Sequence, residues 1–362
     1  MINCIYIHIP FCQKKCKYCS FCSFELLKEK NGYLNSLIKE IEYFYDNEKT
    51  KTIYLGGGTP SLLTCNETER ILALFNTDNK TEITIEVNPN TVTLEKLKQY
   101  KSLGINRISV GVQNFDDVIL KTIGRNHSKK EIYNCIENIK KANIKNFSID
   151  LIYGLPNQNL KQWEKTLLDA IALNPEHISL YGLKIEKGTY FYKFPPENLP
   201  TLDEQAKMYE LAQDILKDYY IHYEFSSFAK NEKYISKHNC AYWKRENYFG
   251  FGLSASGFID NKRYTNTTNM KKYIQNPIKK EYDILTKQQT IEEEIFLGLR
   301  LKEGIDFKNI ENKYGINVYK KYENIFKKFT NEGYMEPTKN GIKLTKKGIL
   351  VSNEILCEFI EL

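Results

Sequence analysis

The chain has 362 residues, 41% hydrophobic and 27% charged, with a net charge of +7. That length exceeds one ordinary domain and suits a large α/β domain plus a small one. No apolar run is long enough to cross a bilayer, which excludes the helical membrane-spanning class, and the lysines are scattered as on a solvated surface rather than gathered for nucleic acid.

Taken in chain order, short β-branched runs alternate with helical periodicity. Predicted strands are Cys4–His8, Thr52–Leu55, Glu82–Val87, Arg107–Val112, Asn146–Leu151 and His177–Leu180. Predicted helices between and after them are Leu34–Tyr45, Thr68–Phe75, Leu94–Leu103, Lys130–Ala142, Lys161–Leu173 and Asp203–Asp218. This alternation predicts an α/β fold with a parallel sheet and outer helices. Six repeats are too few for a closed eight-stranded barrel, so a partial (β/α)6 barrel with a lateral cleft is expected. Past about residue 285 the pattern changes to helices at Thr290–Leu301, Ile305–Tyr314 and Tyr319–Glu332. A hairpin of Tyr334–Pro337 with Gly341–Leu344 and a last helix at Leu350–Ile360 follow. The expected organisation is a barrel over 1–225, a barrel extension over 226–285 and a winged-helix-like domain over 286–362. No Arg-rich recognition helix stands out there, and nucleic acid is not expected as a partner.

The N-terminus enters a strand without the basic and apolar regions of a secretory signal. Nine cysteines without export point to a reducing cytoplasm, where thiols serve metals more often than disulfides. Three of them form Cys12-Gln-Lys-Lys-Cys16-Lys-Tyr-Cys19 just beyond the first strand, where α/β folds place their active sites. The C-x3-C-x2-C spacing suits three corners of a cubane iron-sulfur cluster, leaving one iron open to a small molecule. Zinc is the rival metal, but a structural zinc site wants four ligands from paired knuckles, and no second knuckle is visible. Strand two runs into Gly56-Gly57-Gly58-Thr59-Pro60, a turn that lets backbone approach a ligand closely. Polar residues close the later strands: Glu86, then Gln113 with Arg125 beyond it, then Asp150. Carboxylate and amide suit ribose or amine groups, and an arginine fork suits a carboxylate.

The string Tyr6-Ile-His8-Ile-Pro10-Phe11-Cys12, followed by Cys16 and Cys19, resembles the opening of a radical S-adenosylmethionine (radical SAM) protein. More narrowly it resembles the group of the oxygen-independent coproporphyrinogen III dehydrogenase, over nearly the whole chain. The resemblance implies a 4Fe-4S cluster on Cys12, Cys16 and Cys19, with S-adenosylmethionine chelating the open iron and cleaved there by an electron from the cluster. Tyr6, Gly57, Gly58, Thr59, Glu86, Gln113, Arg125 and Asp150 match the positions that contact that cofactor. It also implies that the C-terminal domain covers the mouth of the barrel.

Two features separate the branches of this group. The dehydrogenase carries a fourth cysteine two residues after the third ligand; here that residue is the aromatic Phe21, as in the group's heme chaperones. Cys22 is displaced by one position and reads as an incidental thiol. The dehydrogenase also has a sizeable extension ahead of the loop, against eleven residues before Cys12 here. The second feature is His238-Asn-Cys-Ala-Tyr242-Trp243, which resembles a string of the heme chaperones. His238 suits heme iron, while Tyr242 and Trp243 offer flat apolar surface; Cys240 is a second, less supported candidate for the heme ligand. A loop histidine packed beside core aromatics is the plainer reading of the same residues. The adopted expectation is a heme chaperone that passes heme to acceptor hemoproteins, with peripheral membrane contact through the acceptor. The alternative is the oxidase, which decarboxylates two propionates of coproporphyrinogen III. Sequence leaves open whether S-adenosylmethionine is cleaved, and so whether the chain is an enzyme.

Overall fold

The computed structural model describes residues 2–25 and 27–361. β1 (Cys4–Ile9), β2 (Thr52–Gly57), β3 (Glu82–Val87), β4 (Arg107–Gln113), β5 (Asn146–Tyr153) and β6 (His177–Gly182) lie side by side in chain order. All neighbouring pairs among them are parallel. Parallel neighbours need crossovers, supplied here by α1 (Lys30–Phe44), α2 (Cys65–Leu72), α3 (Leu94–Ser102), α4 (Asp117–Thr122), α5 (Lys129–Lys141) and α6 (Leu160–Ala172). Four of these helices start at a Thr, Ser or Asn whose side chain accepts from the first turn, which satisfies backbone donors no helix can satisfy alone.

The two faces of the sheet follow from alternation along each strand. One set of positions is aliphatic: Ile5, Ile7 and Ile9, Ile53 and Leu55, Ile83 and Ile85, Ile108 and Val110, Ile149 and Leu151. These pack with the helices into one core. The other set is polar: Tyr6 and His8, Thr52 and Tyr54, Glu82, Thr84 and Glu86, Arg107 and Ser109, Ser148 and Asp150, His177 and Ser179. The result is a partial (β/α)6 barrel with an aliphatic outside and a polar lumen.

Six further short strands extend both edges. β7 (Ile221–Glu224) and β8 (Ser227–Ala229) follow α7 (Tyr190–Lys193) and α8 (Leu202–Leu216), and β8 adds antiparallel to β6. On the other edge β9 (Tyr248–Phe251) runs parallel to β1, and β10 (Ser256–Ile259), β11 (Lys262–Thr265) and β12 (Tyr282–Ile284) continue antiparallel. Between the two groups, α9 (Lys237–Trp243) lies against the N-terminal ends of β2 and β3.

Residues from Ile291 onward build a second core around Phe326, Ile355 and Phe359, which Tyr209 and Phe225 of the barrel side join. Its sheet is antiparallel, with β15 (Gly341–Leu344) between β13 (Ile305–Asp306) and β14 (Met335–Pro337). Helices plus this wing make the small α+β, winged-helix-like module. Backbone bonds join it to the barrel: Phe225 donates to Arg300 and Lys302 donates to Tyr223, at 3.1 and 3.0 Å. The Arg300 guanidinium lies 4.4 Å from the Trp243 ring and 5.0 Å from the Phe225 ring. Among the described residues no helix is long and apolar enough to cross a membrane.

Candidate active site

The thiol loop starts where β1 ends and is closed at its base. Phe24 N donates to Pro10 O at 2.7 Å and Cys12 N to Phe24 O at 3.0 Å. Two other elements brace it: Lys17 N donates to Ile123 O, and Phe191 N donates to Lys17 O. Thr59 Oγ1 donates to Cys12 Sγ and Arg125 Nη1 to Cys16 Sγ, each at 3.6 Å. The Cys12 and Cys19 thiols are held above their ordinary range first by burial and further by the charge of Cys16, and for Cys19 also of Cys12, offset in part by hydrogen bonds. The donors favour thiolate at Cys12 and Cys16, the form in which sulfur ligates iron.

The turn after β2 is built for close approach. Gly57 has φ of 114°, and a Cβ there would lie 2.6 Å from the His8 ring. A Cβ on Gly58 would lie 2.7 Å from the Phe11 carbonyl oxygen, so the turn passes directly over the start of the thiol loop. Gly57 N donates to Glu86 Oε2 at 3.1 Å, and Tyr54 donates to Glu86 Oε1 at 2.8 Å. Burial, aided by the Asp150 charge, pushes the Glu86 carboxyl up to about 7 despite those bonds. Asp150 is pushed up by burial as well; it accepts from Ser109 at 2.8 Å and Ser148 at 3.4 Å. Gln113 adopts φ of 67° where the β4–β5 register slips. Tyr6 reaches His8 Nδ1 at 3.0 Å and stacks on Tyr54.

Arg125 does not present an open fork. Its Nη2 donates to Asn88 Oδ1 and to Gly111 O, both at 2.6 Å, and its Nη1 holds Cys16. Asn88 in turn donates to Thr59 Oγ1 at 3.0 Å. A chain of Thr59, Asn88 and Arg125 therefore ties two of the three cysteines to three strand ends. Sequence reasoning assigned no role to Asn88 or Tyr54; the polar inward position on every strand was the signal available for Tyr54.

His238 stands apart from this cluster. It is 1% exposed, stacked on Tyr54 at 5.0 Å, with Nδ1 at 2.8 Å from Thr52 Oγ1 and Nε2 at 2.8 Å from the Tyr242 hydroxyl. Iron at Nε2 requires Tyr242 to leave it. Burial pushes the imidazole down to about 3, so it is neutral. His127 and His177 are also engaged, with Val112 O and with Ser148 and Tyr223.

A thiol loop opening from the first strand of a parallel partial barrel is the plan of the radical SAM superfamily, and the model of that superfamily matches residues 6–170. The model of the HemN C-terminal domain matches residues 285–351. The chain belongs to the HemW family. It is 36% identical to the heme chaperone HemW of Bacillus subtilis over 376 residues, covering 98% of each chain. With the heme chaperone HemW of Lactococcus lactis the identity is 37%, covering 99% of this chain and 97% of the relative. In fold, it superposes on the coproporphyrinogen III oxidase HemN of Escherichia coli with a TM-score of 0.86 at 22% identity, over 99% of this chain and 90% of that one.

Membership of the radical SAM superfamily implies a 4Fe-4S cluster and S-adenosylmethionine. The residues present fit the cluster. Three thiols share one short loop at the end of β1, and Thr59 and Arg125 donate to two of them, Cys12 and Cys16; three thiolates suit three corners of a cubane.

Proposed function

We propose that this chain is a heme chaperone that binds heme and passes it to acceptor hemoproteins, in the cytoplasm and with membrane contact through the acceptor. The observation that carries this reading is the end-to-end identity to heme chaperones, 36% over 98% of both chains for the Bacillus subtilis protein. Phe21, in place of the dehydrogenase's fourth cysteine, supports it. Nucleic acid has no part in it.

In this reading Cys12, Cys16 and Cys19 ligate three irons of the cluster. When bound, the cluster and S-adenosylmethionine supply one-electron chemistry at the open iron. Gly57 and Gly58 bring bare backbone to the cofactor's amino acid end, and Glu86 offers a carboxylate to its ammonium. Thr59 and Arg125 hold the sulfur side through Cys12 and Cys16. Gln113 and Asp150 would contact the ribose and adenine portion of the bound cofactor, with Tyr6 on the lumen side. The working units are 1–225, 226–285 and 286–362. Ligation of heme iron by His238, suggested by the His-Asn-x-x-Tyr-Trp string, needs the Tyr242 hydroxyl to move off Nε2.

The test is anaerobic. Cluster-loaded protein is given coproporphyrinogen III, S-adenosylmethionine and a low-potential reductant, and separately heme and an apo-hemoprotein. Heme transfer without decarboxylation is expected. Multiple-turnover formation of protoporphyrinogen IX overturns the reading in favour of the oxidase.

A further inference from the structure

We propose that Asn88 is a positioning residue for the iron-sulfur cluster: its side-chain amide aims Thr59 and Arg125 at the Cys12 and Cys16 sulfurs, and through them it raises the cluster's reduction potential. This rests on the cluster reading of the thiol loop and adds what sets the cluster's redox poise. Asn88 follows β3 and precedes Pro89, and a residue before proline is confined to extended backbone. Its φ of −93° and ψ of 144° fit that, and its carbonyl oxygen accepts from Thr91 N at 3.0 Å and from Thr91 Oγ1 at 2.7 Å. The backbone is therefore fixed, and the amide stands between the turn after β2 and the Arg125 guanidinium. A Cβ at Gly111 would lie 3.2 Å from both Asn88 Oδ1 and Arg125 Nη2, so the bare backbone there leaves room for the pair.

The direction of each hydrogen bond follows from what the groups can do. An amide has a donor end and an acceptor end. Arg125 can only donate, so Asn88 Oδ1 must face its Nη2, at 2.6 Å, and Asn88 Nδ2 must face Thr59 Oγ1, at 3.0 Å. The reversed amide would set two donors against each other at Arg125, and its oxygen would take the Thr59 proton. As built, Thr59 Oγ1 accepts from Asn88, which leaves its single proton for Cys12 Sγ at 3.6 Å. Arg125 Nη2 is held by Asn88 and by Gly111 O, which turns Nη1 to Cys16 Sγ at 3.6 Å. One amide thus sets the polarity of both arms.

Hydrogen bonds to the sulfurs are one of a protein's levers on cluster potential. A donor stabilises the reduced cluster more than the oxidised one, because reduction adds negative charge that the ligating sulfurs share. Cys19 takes its donor from the Phe21 backbone N–H, which no side chain controls. Cys12 and Cys16 also have the Ser23 and Tyr18 hydroxyls as neighbours. Those two belong to the thiol loop and move with it, whereas Thr59 and Arg125 reach the sulfurs from outside it, after β2 and after β4. Asn88, after β3, is the group that joins them.

The test is a redox titration of full-length, cluster-loaded protein without S-adenosylmethionine, read by electron paramagnetic resonance of the reduced cluster. Asn88→Leu removes both ends of the amide without adding charge. It should shift the one-electron reduction equilibrium about tenfold toward the oxidised form, ~59 mV, with cluster iron and sulfide unchanged. Asn88→Asp keeps an acceptor for Arg125 but has no hydrogen for Thr59, and should shift the equilibrium in the same direction. Thr59→Val removes the donor to Cys12. Combined with Asn88→Leu, it should give less than the sum of the two single shifts, because both act on one bond. A wild-type potential in Asn88→Leu overturns the proposal, as do strictly additive shifts in the double variant. Loss of the cluster from both Asn88 variants also overturns it, because Asn88 would then serve assembly and not potential. A wild-type protein with no 4Fe-4S signal overturns the cluster reading itself.

Discussion

Glu86 carries an electrostatic penalty that a single substitution can expose. Its carboxyl is raised from 4.5 to about 7, first by burial and then by the Asp150 charge. At 1.36 kcal/mol per pH unit, that difference disfavours the folded state by about 3 kcal/mol once the group is ionised on both sides. Solvent reaching the carboxylate through the lumen mouth reduces this to roughly 2 kcal/mol. The folded pKa lies above the unfolded one, so the penalty is absent below about pH 4.5, grows up to about pH 7 and is constant beyond. Glu86→Gln keeps an acceptor for Tyr54 and removes the charge. Urea denaturation of both proteins without cofactor should show a stability difference that shifts in favour of the Gln variant by about 2 kcal/mol between about pH 5 and pH 8. A difference that is the same at both pH values refutes the burial argument. If Glu86 holds the cofactor's ammonium as proposed, the same variant should bind S-adenosylmethionine more weakly by calorimetry.

Glu40 and Lys280 form an ion pair at 2.6 Å with both side chains almost wholly out of water, and Glu40 also accepts from Gly252 N, Tyr273 and Asn266. Glu40→Ala should cost about 3–5 kcal/mol in urea denaturation because it leaves a buried ammonium unpaired; a loss below about 1 kcal/mol contradicts this. Gly57→Ala should lower the thermal midpoint more than Gly188→Ala. Both have positive φ, but a Cβ meets the His8 ring at 2.6 Å at Gly57 and nothing within 4 Å at Gly188. Equal shifts would show that backbone strain alone decides. Replacing Cys12, Cys16 or Cys19 by Ala should abolish the iron-sulfur absorbance, and an intact cluster in any of them refutes the ligand assignment.

The six parallel strands were legible in the sequence, as was the placing of the thiol motif and the glycine turn after the first two of them. Each strand is a β-branched run with strict alternation, and that period reports burial on one face whatever the neighbours are. The structure extends five of these strands by one or two residues past their expected ends, to Ile9, Gly57, Gln113, Tyr153 and Gly182. The helices at Lys129–Lys141 and Leu160–Ala172 begin at Ser128 and Asn159, within a residue or two of where periodicity placed them. Cys12, Cys16, Cys19 and the Gly56–Gly58 turn were legible because their meaning lies in spacing of a few residues.

Tertiary structure alone decided the rest. Strands β7 to β12 are three or four residues long and exist by pairing onto sheet edges, and α4 is a single six-residue segment, so no period announces them. The expected helix at Ile305–Tyr314 starts with a two-residue strand, because Ile305 pairs with Ile342. Partners of polar groups were the least legible. Arg125 reads as an open fork and instead donates to Asn88, Gly111 and Cys16; His238 reads either as a ligand or as a packed histidine, and the contact that engages it comes from Thr52, 186 residues away. Periodicity is a local property of the chain, whereas the partner of a buried polar group is chosen by whichever distant segment the packed core brings to it.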